Sequence, residues 1–322
     1  MVARIFVTRQ IPDAGLKLLN RDFDVDVWED RLPPSRQALL SRLRNVSGVL
    51  SLLSDTIDAE AMDAAGPSLK AIANFAVGYN NIDVAAAKSR GILVGNTPDV
   101  LTEATADVAV GLMLAAARRF QASIDNVRTL SWKTWEPLGL IGQDFNRKTL
   151  GIVGMGRIGQ AVAKRLHGGW GMRVLYTARS RKPEIDQLLQ AEQVSFEKLL
   201  DESDFISIHT DLNDETKHLF SHRQFQQMKA SSVLVNTSRG GIIDQAALEL
   251  ALRERQIFAA GLDVTDPEPL SDDSPLRKLT SCLILPHIGS ATEDSRNQMA
   301  TMAAQNLIAA ISGQPMPYGV AT

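Results

Sequence analysis

Near its midpoint the chain reads Leu150-Gly151-Ile152-Val153-Gly154-Met155-Gly156-Arg157-Ile158-Gly159. The apolar run Leu150–Val153 predicts a strand, and the amphipathic pattern of Gln160–His167 predicts a helix directly after the glycines. In this context Gly154 permits a tight turn, Gly156 lets the backbone approach a ligand, and Gly159 lets the helix pack on the strand. The N–H groups and the positive dipole end at the start of a helix attract phosphate. The segment therefore predicts a dinucleotide phosphate loop, with Arg157 and Ile158 among its cofactor contacts; the alternative is a glycine turn that binds nothing.

Short apolar runs alternate with helical patterns along nearly the whole chain, which indicates βαβ units and mostly parallel sheets. The predicted strands of the first third are Ile5–Thr8, Val25–Trp28, Val49–Leu53, Ala71–Asn74 and Leu93–Gly95. The second series comprises Thr149–Gly154, Arg173–Thr177, Phe205–His209, Val233–Thr237, Ala259–Asp263 and Leu283–Pro286. Between them Leu101–Thr129 reads as one long helix, and Glu293–Ile311 reads as a final helix. Two series of strands predict an α/β protein of two domains, each with its own sheet.

The composition is that of an ordinary globular protein. A length of 322 residues exceeds the ~100–200 residues of one domain, which also favours two domains. A hydrophobic fraction of 44% excludes a disordered chain, and a net charge of −3 leaves no basic footprint for nucleic acid, so none is expected as a partner. The single cysteine, Cys282, cannot form an internal disulfide, and its apolar surroundings predict a buried small side chain rather than a catalytic thiol.

Neither a membrane span nor a secretory signal is expected. The longest strongly apolar stretch, Val108–Ala117, is far shorter than the ~20 residues that cross a bilayer. A predicted strand at Arg4–Thr8 begins almost at once and leaves no room for a signal peptide. We therefore expect a cytoplasmic protein without a membrane partner.

The residues after the predicted strand Arg173–Thr177 are basic. An NAD-specific site has an acidic residue ~20 positions beyond the glycines, and here Arg179, Ser180, Arg181 and Lys182 occupy that region. Cations and a hydroxyl suit a 2′-phosphate, and an arginine can hold it through a bidentate fork. The pattern predicts a preference for NADP(H), while a solvated basic cluster that also accepts NAD(H) is the alternative.

Three polar segments follow later strands, at the positions where open α/β sheets bind their ligands. They are Asn236–Gly241, Gly261–Pro269 and Pro286–Thr292. Reduction of a 2-oxo acid needs a hydride donor, an acid for the carbonyl oxygen and a cation for the carboxylate. We predict His287 as the acid, Glu268 between two prolines as the carboxylate that orients it, and Arg239 as the cation. Taken singly, each of these three residues could have a structural role. No pair of histidines has the spacing of a metal site, so no metal is predicted.

These segments, with Val77–Asp83 and Asn96–Asp107, resemble the signature segments of the D-2-hydroxyacid dehydrogenases, in order and over nearly the whole chain. The resemblance implies a Rossmann-type cofactor domain over residues 100–289 and a flavodoxin-like, discontinuous substrate domain over residues 1–99 and 290–322. It places the active site in the cleft between the domains. The resemblance assigns the catalytic roles to Arg239, Glu268 and His287.

The same resemblance implies the ligand contacts. The cofactor contacts beyond the phosphate loop and the basic edge are Thr105, Thr237, Ser238, Asp263, His287 and Gly289. The substrate contacts are Leu53, Val77, Gly78, Arg239 and His287, with the backbone N–H groups of Val77 and Gly78 on the substrate carboxylate. The product would have the D configuration wherever a stereocentre forms.

Within the family, the arm Trp132–Leu138 and the basic edge resemble the glyoxylate/hydroxypyruvate reductases. That resemblance implies a homodimer in which Trp135 reaches the neighbouring active site; an interface anchor without substrate contact is the alternative. Asp211 stands where the family usually has proline, and we expect it to face solvent. Other readings remain: a relative acting on D-lactate, D-glycerate or 3-phosphoglycerate, or a dinucleotide-sensing binding protein resembling the C-terminal-binding co-repressors.

Overall fold

The computed structural model describes residues 2–320, and its contacts divide the chain into two compact units. The first unit comprises Met1–Leu101 with Ala291–Thr322, and the second comprises Thr102–Ser290. The ends of the predicted substrate domain, Met1, Ala321 and Thr322, lie outside the described residues. Each unit has its own all-parallel sheet, which confirms the predicted α/β class.

The first unit has a five-stranded sheet in the order β2-β1-β3-β4-β5. Its strands are β1 Arg4–Val7, β2 Asp24–Val27, β3 Gly48–Ser51, β4 Ala71–Asn74 and β5 Leu93–Gly95. Its helices are α1 Asp13–Leu19, α2 Arg36–Arg42, α3 Ala59–Ala65, α4 Val84–Ser89 and, from the C-terminal end of the chain, α12 Glu293–Ile311. Every residue of β3 and β4 is buried, because helices cover both faces of a parallel sheet.

The C-terminal helix α12 completes the first unit by packing on α1. The site of a Cβ on Gly15 in α1 lies 2.6 Å from the carbonyl oxygen of Ala300 in α12, so only glycine permits this approach. Met299, Ala303 and Leu307 of the same helix are buried in the core that includes Ile5 of β1. The N-terminal third and the last helix therefore share one hydrophobic core.

The second unit has a seven-stranded sheet in the order β12-β11-β10-β9-β6-β7-β8. Its strands are β6 Thr149–Val153, β7 Arg173–Thr177, β8 Glu192–Gln193, β9 Phe205–Ile208, β10 Val233–Asn236, β11 Ala259–Leu262 and β12 Cys282–Ile284. Its helices are α5 Thr102–Ala117, α6 Phe120–Arg128, α7 Arg157–Trp170, α8 Pro183–Leu189, α9 Phe196–Glu202, α10 His222–Gln227 and α11 Gln245–Arg253, with 3₁₀ turns at Gly240–Ile242 and Pro275–Lys278. The chain leaves β6 toward β7 and later returns to β9 on its other side, so the strand order reverses at β6, where ligands bind in such sheets.

The prediction of one helix over Leu101–Thr129 is wrong. The structure has two helices, α5 and α6, separated at Arg119, which adopts a left-handed conformation with φ 55°. The N–H of Gln143 donates to the carbonyl of Ala117 at 3.0 Å. A later segment of chain thus takes a carbonyl that a continuous helix would use for its own next turn.

Candidate active site

The phosphate loop predicted from the sequence begins where β6 ends and leads into α7. Gly154 has φ +98°, and a Cβ there would lie 2.5 Å from the carbonyl oxygen of His209. A Cβ on Gly159 would lie 2.3 Å from the carbonyl oxygen of Gly154. A Cβ on Gly156 would meet no protein atom within 4 Å. Two glycines are thus required by the fold itself, whereas Gly156 leaves space that a ligand can use.

The basic edge after β7 is organised by a buried tyrosine. The hydroxyl of Tyr176 donates to Asp186 at 2.8 Å and accepts from the N–H of Lys182 at 2.9 Å. Asp186 also accepts from the Nε of Arg181 at 2.6 Å. Arg181 therefore already has a carboxylate partner, which reasoning from the sequence missed. The signal available was the acidic first turn of α8, which contains Asp186.

Arg179 and Ser180 are exposed on the same loop. The ammonium of Lys182 donates to the hydroxyl of Ser180 at 3.2 Å. No acidic partner of Arg179 is present among residues 2–320. Among the residues of the predicted basic edge, Arg179 and Ser180 are therefore the better placed to bind a phosphate.

The catalytic candidates follow three neighbouring strands of the sheet: Arg239 follows β10, Glu268 lies in the loop after β11, and His287 follows β12. The Nδ1 atom of His287 forms a hydrogen bond with the Oε1 atom of Glu268. The second carboxylate oxygen of Glu268 accepts from the N–H of Thr265 at 3.4 Å. Burial opposes ionisation of Glu268, but the hydrogen bond and charge of His287, with Thr265 and Arg239, hold the pKa of Glu268 below its usual range. An ionised carboxylate thus faces Nδ1 and leaves the Nε2 side of the imidazole for a ligand.

The turn that carries His287 is held by Asp263. The N–H of His287 donates to the carbonyl of Asp263 at 2.9 Å, and the N–H groups of Ile288 and Gly289 donate to its carboxylate at 2.7 Å each. Burial raises the pKa of Asp263, in opposition to these two donors. The hydroxyl of Thr105 donates to the carbonyl of Gly289 at 3.1 Å. Asp263 and Thr105 therefore shape the histidine turn, a role that the sequence did not reveal.

Arg239 lies in the turn after β10. The side chain of Asn236 accepts from the N–H of Ser238 at 3.0 Å and donates to the carbonyl of Arg239 at 2.8 Å, so this buried amide fixes the turn. A Cβ on Gly240 would lie 2.0 Å from the carbonyl carbon of Thr265, which brings the arginine turn against the loop that carries Glu268. Sequence reasoning did not identify Asn236 as a functional residue.

The charges of two carboxylates act on the Arg239 guanidinium and favour its charged form. Burial lowers the pKa of the Arg239 guanidinium, and the charges of Glu268 and Asp211 oppose that effect. Asp211 is exposed, as expected from the sequence, but its charge still acts on Arg239. A guanidinium with this surrounding can pair with an incoming carboxylate.

Two observations in the second unit fit a bound nicotinamide dinucleotide. The hydroxyl of Thr237 is buried without a hydrogen-bond partner among residues 2–320. The space beside Gly156, at the start of α7, suits the approach of a pyrophosphate. Thr237 and the phosphate loop are therefore able to hold the cofactor that the sequence predicts.

The comparisons with known proteins identify the family of the chain. The family model for the D-isomer specific 2-hydroxyacid dehydrogenase, NAD binding domain, matches residues 110–289. The chain belongs to this family. This confirms the family predicted from the sequence.

Among the curated relatives, a glyoxylate reductase of Korarchaeum cryptofilum is 48% identical, over 98% of this chain and 95% of the relative. The glyoxylate reductase/hydroxypyruvate reductase of Homo sapiens is 45% identical, over 98% and 96% of the two chains. A crystal structure from Thermus thermophilus has a TM-score of 0.92 at 45% identity and covers 99% of this chain and all of its own. A glyoxylate reductase from Paecilomyes thermophila has a TM-score of 0.87 at 32% identity, covering 99% of this chain and 98% of its own.

The dehydrogenase's predicted substrate contacts of the first unit lie in two loops. Leu53 follows β3, and Val77 and Gly78 follow β4. The side chain of Asn81 donates to the carbonyls of Leu52 and Asp55 at 3.0 Å each, which ties the two loops together. Trp135, in the second unit, is 79% exposed and lies in an arm without helix or strand.

Other ionisable candidates do not form a second centre. Burial raises the pKa of the Cys282 thiol to about 12, so it is protonated and inert as predicted. Burial lowers the pKa of His209 to about 3, which keeps it neutral beside Ser207. Within residues 2–320, no cluster of His, Cys, Asp and Glu could hold a metal ion, and no helix is long and apolar enough for a bilayer.

Replacement of Gly156 by alanine is expected to weaken NADPH binding at least about tenfold, because the new methyl group occupies ligand space and overpacks the site. The melting temperature should change by less than about 3 °C, since the added Cβ meets no protein atom. Calorimetric titration with NADPH and a thermal melt test both points. Gly168→Ala is the matched control: it lies within α7, its added Cβ also meets nothing, and binding should be unchanged. If Gly156→Ala bound NADPH as tightly as the wild type, the phosphate loop would not be part of the cofactor site.

Proposed function

We propose that this chain reduces glyoxylate and hydroxypyruvate to glycolate and D-glycerate, with NADPH as the preferred cofactor. The observation that carries the proposal is the hydrogen bond between His287 and the ionised Glu268, with the charge of Arg239 acting on the same carboxylate. Relatives named glyoxylate reductase, at 44–48% identity over 98% of the chain, support the choice of substrate class. We also propose that the enzyme works in the cytoplasm.

The residues divide the work of the reaction as follows. A bound nicotinamide supplies the hydride. Glu268 accepts the Nδ1–H of His287 and stabilises the imidazolium, so that Nε2 holds the proton for the carbonyl oxygen of the substrate. Arg239 pairs with the substrate carboxylate and polarises the carbonyl. Asp263 holds the backbone around His287 and keeps its ring in place.

A short, uncharged substrate tail is favoured over a phosphorylated one. The sequence shows no cation in Leu52–Ser54, but the structure places Arg9 at this loop, where its guanidinium donates to Ser54 at 2.9 Å. Arg9 is buried and lies 3.6 Å from the buried Asp55, so its charge is already balanced. An arginine in this state is a poor partner for a 3-phosphate group.

The second proposal concerns the assembly. Helix α6 has no buried residue, and Phe120, Ile124 and Val127 form an exposed apolar groove on it. The arm that follows exposes Trp132, Trp135 and Leu138 by 66–82%. Apolar side chains of this size on one segment support a homodimer in which a second copy covers them. From the family resemblance we propose further that Trp135 reaches the partner's substrate. A single-chain mass in light scattering would contradict the dimer.

Kinetics with both cofactors test the proposed function. The wild type should turn over glyoxylate and hydroxypyruvate but not 3-phosphohydroxypyruvate, with kcat/KM at least about tenfold higher for NADPH than for NADH. Arg179→Ala should lower kcat/KM for NADPH about tenfold and leave NADH within about twofold, because only the 2′-phosphate is lost as a partner.

Arg223→Ala, an exposed arginine on α10 of the same unit, is the control and should change neither value. A strong NADH preference of the wild type would refute the cofactor assignment. Absence of turnover across the 2-oxo acids would instead favour the dinucleotide-sensing binding protein.

A further inference from the structure

Three successive carbonyls in the loop after β4 are held by donors from the first unit itself. The N–H of Thr97 donates to the carbonyl of Ala76 at 2.9 Å. The side-chain amide of Asn96 donates to the carbonyl of Val77 at 2.7 Å. The side-chain amide of Asn74 donates to the carbonyl of Gly78 at 2.8 Å. Each of these three peptide planes is therefore oriented by a hydrogen bond to its carbonyl oxygen.

The N–H groups of the same peptides point the other way. In a planar trans peptide the carbonyl of one residue and the N–H of the next are antiparallel. Holding the carbonyls of Ala76, Val77 and Gly78 thus directs the N–H groups of Val77, Gly78 and Tyr79 away from those donors. None of these three N–H groups has an acceptor among residues 2–320, and Val77, Gly78 and Tyr79 are all partly or fully exposed. Consecutive backbone N–H groups without a protein acceptor are available to donate to a bound anion.

Both asparagines are held by further hydrogen bonds, Asn74 through its side chain and Asn96 through its backbone. Asn74 is fully buried, and its Oδ1 atom accepts from the hydroxyl of Ser51 at 3.0 Å and from Asn81 at 3.2 Å. These bonds determine which end of the Asn74 amide faces Gly78. The backbone carbonyl of Asn96 accepts from the side chain of Asn306, a fully buried residue of α12, at 3.0 Å. The Asn74 amide therefore cannot turn away without breaking buried hydrogen bonds, and the backbone that carries the Asn96 amide is held by α12.

We propose that Asn74 and Asn96 are positioning residues that aim the N–H groups of Val77, Gly78 and Tyr79 at the substrate carboxylate. The Tyr79 N–H is a third donor beyond the two implied by the family resemblance. The proposal rests on the proposed function for the identity of the anion. A carboxylate that accepts hydrogen bonds from several preoriented N–H groups binds without the free-energy cost of reordering the loop.

The test uses Asn96→Leu, which removes the amide donor, keeps a similar volume and adds no charge. The full-length enzyme should show a KM for glyoxylate and an inhibition constant for oxamate that rise about tenfold, because the peptide that carries the Gly78 N–H is no longer held. The kcat should stay within about twofold, and the NADPH dissociation constant should not move. Asn297→Leu on α12 is the control, since this asparagine is also half-buried in the first unit but holds no carbonyl of the loop; its values should match the wild type.

A structural role alone would lower the active fraction, so kcat would fall while KM and oxamate inhibition stayed constant, and that result overturns the proposal. Asn96→Ser gives the same comparison if the leucine variant does not fold. Should the wild type turn over no 2-oxo acid, calorimetry with oxamate and NADPH separates the two ideas. If Asn96→Leu binds oxamate more weakly than the wild type, the anion site is upheld even though the proposed activity is absent. If the wild type and the variant bind oxamate equally, the anion site is refuted.

Discussion

Replacement of His287 by glutamine is expected to lower kcat for glyoxylate by about 10²–10⁴-fold. Glutamine can still form a hydrogen bond with Glu268, but its amide has no proton to give to a developing alkoxide. The loss should therefore appear in kcat and remain when substrate is saturating. Steady-state kinetics at several pH values, together with NADPH binding by calorimetry, measure both quantities.

The matched control is His222→Gln, because His222 is an exposed histidine at the start of α10 in the same unit. Its kcat should equal that of the wild type. NADPH binding by His287→Gln should remain within a few-fold, since the phosphate loop is not altered. Turnover of His287→Gln near the wild-type rate would show that another group supplies the proton.

Replacement of Arg239 by methionine is expected to reduce kcat/KM by about 10²–10³-fold, comparable to the loss of one preorganised charge-stabilising donor. The variant loses the proposed partner of the substrate carboxylate, and it also alters the electrostatic surroundings of Glu268. The charge of Arg239 helps to hold the pKa of Glu268 below its usual range. Without that charge the pKa of Glu268 rises, so activity that depends on the ionised carboxylate should be lost at a higher pH as the solution is acidified.

Two further variants separate charge from geometry at this position. Arg239→Lys keeps the charge but not the planar fork, so it should recover the acidic limb of the pH profile and only part of kcat/KM. Arg223→Met, on the exposed surface of α10, should change neither. An acidic limb that is identical in Arg239→Met and the wild type would mean that Arg239 does not act on Glu268.

The strand pattern of the sequence was sufficient for the fold class. Buried parallel strands need continuous apolar runs, and runs such as Val233–Asn236 and Ala71–Asn74 stand out between helical segments. The break between α5 and α6 was missed because no proline or glycine marks it. At the break the carbonyl of Ala117 accepts from the N–H of Gln143, which lies in a later segment of the chain.

The candidate site was predictable only in part. His287, Glu268 and Arg239 could be proposed because their chemistry is distinctive and each follows a predicted strand. Asn236 was not singled out, and Asp263 was expected only as a cofactor contact, because a sequence pattern does not show which backbone groups a turn residue holds. The pairing of Arg181 with Asp186 was missed for a similar reason, since counting acids along the chain does not show which cation each one meets.

The sequence by itself determined where most of the strands and helices form, where the tight glycine turn occurs, and which side chains can give a proton or bind an anion. These properties depend on local hydrophobic periodicity, on backbone freedom at glycine and on functional-group chemistry. Only the tertiary structure decided which carbonyl each buried amide holds and which carboxylate each cation meets. Such bonds join residues that are far apart in the chain, as between Thr105 and Gly289 or between Asn96 and Asn306. Their partners are selected when the packed core brings them within hydrogen-bonding distance, and no local pattern encodes that choice.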